Sequence, residues 1–249
     1  MKYIFLACLL AVAQIGNTQT ATETSGETPS KAPSTSPLTL TLGGKLFSGG
    51  WTGENTGAIE GDIESTTGGG IGVSVGLRKG KWFGVFNVQS GGYEFDGDQP
   101  AYDPDPIAED ELTINSSFVS LGAGYQINRY VAVQGGFKTH TQNWDDHNRE
   151  LVYSGLGVGV TGFIPLNQSW TLYGTLGLNG HTIKDKDGEN VGDGSTSSLE
   201  LGAAFRITSV SSISFGFKNE SVAAEFDSGN EQEHNFGSLY FGYNHGFRF

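Results

Sequence analysis

Few residues in this chain have the types and spacing for chemistry, and they lie far apart. Trp144-Asp145-Asp146-His147 sets two carboxylates beside an imidazole, a group able to draw a proton from water. Asp185-Lys186-Asp187-Gly188-Glu189 alternates oxygen ligands around a glycine, as a calcium loop does. It lacks the twelve-residue pattern that closes on a bidentate Glu, so Asp185, Asp187 and Glu189 read more simply as a solvated acidic loop. Loop polarity likewise accounts for Asp145, Asp146 and His147. No nucleophilic serine stands beside a histidine in sequence, and no spacing fits a metal site. The expectation is therefore no enzyme and no cofactor.

Strands must position whatever function there is. From Leu38 onward, runs of about ten alternating residues are separated by breaks that are by turns long and short. Leu38, Leu40, Leu42 and Leu46 share one face, against Thr39, Thr41, Gly43 and Lys45. Runs around Ile71–Leu77, Trp82–Tyr93, Val119–Tyr125, Val131–Phe137, Leu156–Ile164, Trp170–Leu178, Leu199–Ile207 and Ile213–Phe217 repeat the pattern, with small or polar residues opposite. The last stretch, Asn235 to Phe249, carries Leu239, Phe241, Tyr243, His245, Phe247 and Phe249 at every second position. An apolar outside with a polar inside describes a membrane-spanning β-barrel. The count is about ten strands, or eight if the run after Ile213, which fades through Lys218, Asn219 and Glu220, is an excursion. A water-soluble β-sandwich would have to bury all these aliphatic faces against a second sheet.

The long breaks are expected at Ser48–Gly68, Phe95–Glu111, Gln142–Arg149, Lys184–Thr196 and Phe226–His234, and tight turns at Lys79–Lys81, Gln126–Arg129, Pro165–Ser169 and Ser209–Ser211. All seven prolines avoid strand interiors, as the missing N–H requires. Trp82 and Trp170 follow tight turns, and Trp51 and Trp144 border long breaks, so the four are expected to form two interfacial girdles.

The ends have other roles. Lys2 and the apolar run Tyr3–Ala13 read as a secretory signal peptide, residues 1–21, cut after Ala13 or near Ala21. The only cysteine, Cys8, lies inside it, which excludes disulfides and thiol chemistry from the mature chain. Residues 22–37 are Ser/Thr/Pro-rich and cannot bury enough surface to fold, so they read as a linker to a barrel over 38–249. A net charge of −13 and a pI near 4.7 exclude nucleic acid as a partner. Acidic residues concentrate in the long breaks.

Inward positions are small or polar, with Lys45, Arg78, Glu200, Arg206 and Arg248 among them. Arg78, Arg206 and Arg248 fall near one end, so these five could line an anion-preferring constriction. Ion pairing inside a closed lumen is the plainer account.

The C-terminal strand, with Phe241, Tyr243, Phe247 and Phe249, resembles that of bacterial outer-membrane proteins, and Gly122-Ala123-Gly124-Tyr125 before a turn and Val131-Ala132-Val133 carry the same look. Residues 38–249 resemble a small Gram-negative outer-membrane β-barrel of the outer-membrane protein A-like or porin-like kind. The resemblance implies an up-and-down antiparallel barrel with periplasmic termini. It also implies recognition of the terminal Phe by the barrel-assembly machinery, and outer-membrane lipid and lipopolysaccharide as surroundings. A structural or porin-like role that passes small solutes is implied first. A surface interaction protein using acidic loops to bind an ion, lipopolysaccharide or another ligand is the alternative. Omptin proteases also use Asp and His at a barrel rim, but the likeness is confined to architecture and residue types.

Overall fold

The computed structural model describes residues 36–57, 60–96, 111–144 and 149–249. The signal peptide and nearly all of the linker, and the Asp145–His147 stretch, lie outside the described residues.

Ten strands form one closed sheet: β1 (Leu38–Thr56), β2 (Gly61–Lys79), β3 (Trp82–Asp96), β4 (Glu111–Asn128), β5 (Val131–Trp144), β6 (Arg149–Pro165), β7 (Trp170–Asp185), β8 (Asn190–Arg206), β9 (Ser211–Phe226) and β10 (Glu231–Arg248). Each pairs antiparallel with its sequence neighbours, and β10 closes onto β1. The order is up-and-down. The count is ten rather than eight, because the fading run after Ile213 is a full strand whose Lys218 and Glu220 point into the barrel.

The alternation sets which side chains face in. On β10 the even positions other than Ser238 and Arg248 are buried, and Leu239, Phe241, Tyr243 and Phe247 are exposed. The register carries that parity round the barrel: Lys45 is aligned with Gly242, Glu200 with Lys218, and Ser120 with Lys138.

The strands are longer than the alternating runs suggest, at 14 to 19 residues. The expected break at Ser48–Gly68 is mostly β1 and β2, and those at Lys184–Thr196 and Phe226–His234 are mostly strand as well. Gln142–Trp144 likewise belongs to β5, and Phe95–Asp96 to β3. The reason is an inversion of polarity half-way up. Near the tight turns the outward residues are apolar, such as Leu46, Leu121, Phe137, Leu156 and Leu199. One or two outward positions further, these become Ser48, Ser117, Thr139, Ser154 and Ser197. The inward positions change the other way, to Trp51, Phe95, Ile114, Trp144, Tyr153, Ile183, Phe226 and Phe236, all buried. A 16-residue strand such as β7 rises roughly 40 Å at the usual tilt, against an apolar band of about 25 Å. The remainder is built like a water-soluble barrel.

The tryptophans follow this division. Trp82 is 66% exposed and faces outward, and Trp170 packs beside Phe205 and Phe215 on the outer wall. Trp51 and Trp144 are not interfacial. Both are buried inside the barrel, because their strands have already passed the inversion.

Inward glycines let the wall bend. A Cβ on Gly155 would lie 1.8 Å from the Gly180 carbonyl oxygen on the paired strand, while one on Gly180 would meet nothing. Gly155→Ala is expected to lose about 1–3 kcal/mol and Gly180→Ala less than about 0.5, measured by urea unfolding in lipid vesicles.

Candidate functional site

The candidate site is the barrel interior, which is layered. The layer beyond the inversion is a cluster centred on Trp51, whose ring meets Tyr93, Phe95 and Phe236 at centroid distances of 5.7, 5.2 and 4.8 Å. Its Nε1–H donates to His234 Nδ1 at 3.1 Å, which satisfies the one polar group that a buried indole carries. His140 is sandwiched between Phe118 and Tyr153, with centroids 3.9 and 5.5 Å away. Nearer the tight turns, Phe47, Phe83, Phe163, Tyr173 and Tyr240 form a second cluster. The Tyr173 and Tyr240 hydroxyls are hydrogen-bonded to each other.

Between the two clusters lies a charged layer. Glu220, on β9, is 3% exposed and pairs with two ammonium groups, Lys138 from β5 and Lys218 from its own strand. Both lysines also lie over the Phe118 ring, at 4.7 and 5.5 Å. Lys45 is buried, with Nζ 3.8 Å from the Tyr240 ring centre, a cation–π contact in a desolvated setting. On one side this layer is open. Gly157, Gly159 and Gly177 present no side chains there, leaving an open pocket of about 160 Å³ whose lining runs from inward Asn87, Gln134, Lys138 and Glu220 to outward-facing Leu121, Phe137, Val158 and Leu178.

The family model described as "Outer membrane protein beta-barrel domain" matches residues 86–247. The chain belongs to this outer-membrane β-barrel family. Its place is accordingly the outer membrane of a Gram-negative bacterium. Among solved structures, the outer-membrane protease OmpT from Escherichia coli superposes with a TM-score of 0.50 at 11% identity, over 89% of this chain and 99% of that one. The β domain of the Bordetella autotransporter BrkA gives 0.43 at 11% identity, over 86% and 100%, and the attachment invasion locus protein Ail of Yersinia pestis gives 0.33 at 9%, over 86% and 99%. At these identities the likeness is one of fold alone. A comparison with curated protein sequences gives no match.

Within this outer-membrane barrel the five residues expected to form a constriction do not form one ring. Arg78 donates from Nη2 to Gln126 Oε1 at 2.6 Å and from Nε to the Gly80 carbonyl at 2.8 Å. Arg248 donates to the Ser209 carbonyl at 3.3 Å. Arg206 ends β8 at the same level, aligned with Ser212. Arg78 and Arg248 thus donate to carbonyl oxygens at the tight turns, whereas Lys45 and Glu200 lie deeper, in the charged layer. Asp185, Asp187 and Glu189 lie in the polar turn between β7 and β8. Asp185 Oδ1 accepts from the backbone N–H groups of Asp187 and Glu189 at 3.0 and 2.9 Å, capping a tight turn through Gly188 at φ +81°. Asp187 pairs with Lys186 instead. No cluster of His, Cys, Asp or Glu among the described residues is arranged to hold a metal.

At the C-terminus, Phe241, Tyr243, Phe247 and Phe249 all face outward and are 40–74% exposed. The Phe249 N–H donates to the Leu38 carbonyl at 2.9 Å across the closing seam.

The charged layer brings together residues that the sequence shows only as inward positions. Lys138 and Glu220 are 82 residues apart, and only the closed sheet brings them together. Two serine–histidine contacts are also products of the fold: Ser116 Oγ with His140 Nε2 at 2.9 Å, and Ser211 Oγ with His245 Nδ1 at 2.8 Å. The first is locked under stacked aromatic rings, and the second lies on the outer wall beneath the Tyr243 hydroxyl, 3.2 Å from Ser211 Oγ.

Because one buried carboxylate serves two ammoniums, Glu220→Gln is expected to cost about 3–5 kcal/mol. Replacing Lys138, Lys218 and Glu220 together by Met should recover most of that loss, measured by urea unfolding in the same vesicles.

Proposed function

We propose that this outer-membrane protein is a structural barrel whose lumen is closed to ions. The observation that carries the reading is the buried aromatic layer centred on Trp51. With Phe95, Trp144, Tyr153 and Phe236 it occupies the interior beyond the inversion. The aromatic cluster around Phe83 and Phe163 backs it from the other end. A porin-like barrel would need a wet path past both. The outward apolar belt near the tight turns fits the hydrocarbon layer. In this reading the termini and tight turns are periplasmic, and the half with inverted polarity stands among lipopolysaccharide headgroups and above. Exposed Phe249 and the outward aromatics of β10 supply the signal for the barrel-assembly machinery. No catalytic role is included, since both serine–histidine contacts are accounted for by packing and by hydrogen bonding at the wall.

One observation favours a second reading, a surface interaction protein. Outward carboxylates are aligned in register across the extramembrane half: Glu233 with Glu54 and Glu54 with Asp62, and Asp193 with Glu225 and Glu225 with Glu231. Like charges directly opposite one another destabilise a sheet, and a cationic partner or ion would relieve them. Binding of a basic surface or a divalent ion at this end is the corresponding activity.

Planar-bilayer recording of the refolded mature chain is expected to show no discrete conductance. Stepwise openings would favour the porin-like role over the closed barrel. Orientation has its own test, made clean by the cysteine-free mature chain. A membrane-impermeant maleimide applied to intact cells should label Lys186→Cys and leave Lys81→Cys unlabelled until the outer membrane is opened. The reverse pattern would invert the assigned topology.

A further inference from the structure

We propose that the rim formed by the β2–β3 and β4–β5 turns is a binding site for the headgroup of an anionic phospholipid, a glycerophospholipid with a net negative charge. Charge is segregated along the barrel. Glu54, Asp62, Glu225, Glu231 and Glu233 stand at the far end, whereas no Asp or Glu among the described residues lies in a tight turn or at the strand ends that enter it. The cations at the tight-turn end are not spread evenly. Lys79, Lys81 and Arg129, all exposed, sit on two neighbouring turns, while the β6–β7 turn, 166–169, carries no charge. Cations gathered without a carboxylate repel one another, and an anion held among them relieves that repulsion.

The two turns are joined into one platform. The Gln126 N–H donates to the Lys81 carbonyl at 2.8 Å, and Lys81 Nζ donates back to the Ile127 carbonyl at 3.1 Å, which leaves the ammonium with further donors for a ligand. Asn128 Oδ1 accepts from the N–H groups of Tyr130 and Val131 at 2.7 and 3.0 Å, fixing the tip that carries Arg129. Beside the cations the outer wall begins at once with aromatic rings. Lys79 is aligned with the largely exposed Trp82, whose ring meets Tyr125 edge-on at 4.9 Å, and Arg129 lies 4.6 Å from the Tyr130 ring. Leu77, Phe86 and Leu121 continue this exposed wall. A soluble phosphate would use the cations and leave the rings in water. A phospholipid uses both, since its phosphodiester accepts from the ammonium and guanidinium groups while its acyl chains cover the rings and leucines. The site needs the tight turns to face a phospholipid leaflet, the placement proposed above, and holds whether the lumen is open or closed.

Trp82 is itself the reporter for the test. Trp51 and Trp144 are shielded inside the barrel, and Trp170→Phe removes the other indole on the outer wall. The full mature chain carrying Trp170→Phe is refolded into phosphatidylcholine vesicles that contain a fixed fraction of phosphatidylglycerol or phosphatidylcholine with brominated acyl chains, and the quenching of its emission is compared. The relative affinity is expected to favour phosphatidylglycerol roughly fivefold. Lys79→Gln, Lys81→Gln and Arg129→Gln together should bring the ratio to one, with folding checked by circular dichroism, and Lys186→Gln at the far end should leave it unchanged. Unbrominated phosphatidylglycerol should relieve the quenching, and glycerol 3-phosphate at matched ionic strength should not. Equal quenching by the two brominated lipids would overturn the proposal. So would a preference that survives the triple substitution, relief by glycerol 3-phosphate, which marks a soluble-phosphate site, or displacement by lipid A at a lower mole fraction, which assigns the rim to lipopolysaccharide. Both leaflets of the vesicle hold the same lipids, so the result is independent of sidedness, which the maleimide labelling tests separately.

Discussion

Closure of β10 onto β1 is the constraint on which every other feature depends. In hydrocarbon there is no water to satisfy a free N–H or carbonyl, so a spanning sheet must have no edge. The seam runs without a register shift from Thr39 opposite Arg248 to Thr56 opposite Glu231, and the backbone bond from Phe249 to Leu38 extends it by one step. Once the ring is closed, parity is no longer a local choice. A one-residue slip in any strand would turn its lipid-facing leucines inward and its lysines outward. The alternation in ten separate runs is one requirement repeated.

That requirement also explains why the interior is layered. A barrel crossing from hydrocarbon into water must exchange its apolar face for a polar one while keeping the same pleat. The chain does so within a residue or two, at Leu46 and Ser48 on β1 and at Phe217 and Asn219 on β9. Beyond the exchange the apolar residues point inward and pack on one another, which gives this half the larger of the two hydrophobic clusters. The Trp51 layer is thus the core of that half of the barrel.

Much of this was legible in the sequence. The alternation gave the barrel, ten strands and the two faces, because period two survives wherever one face meets lipid. The length of the strands is hidden in the sequence for a physical reason. In β1 beyond Ser48 the outward residues are Gly50, Thr52 and Glu54, which look like a loop unless Trp51 is recognised as the inward residue between them. The same confusion placed Trp51 and Trp144 at an interface, since a tryptophan at the end of an apolar run has the same sequence signature whether it lies in a headgroup layer or a core. Site geometry was less accessible. The inward parity of Lys138, Lys218 and Glu220 could be read, but not that one carboxylate would serve both lysines, because that depends on how far β5 stands from β9 across a closed ring.

The arrangement of charge follows from the same geometry. The chain carries a large acidic surplus overall, yet among the described residues most carboxylates other than Glu200 and Glu220 are outward or in turns, where water and salt screen them. The lysines of the charged layer lie inside, at the level where the wall changes from lipid-facing to water-facing. An ammonium there gains from the faces of Phe118 and Tyr240, which a carboxylate cannot use, since the ring quadrupole is negative above its plane. Aromatic layers on either side of the lumen therefore favour cationic side chains between them. A surplus of lysine over glutamate in this layer is the expected consequence of closing a small barrel with aromatic residues.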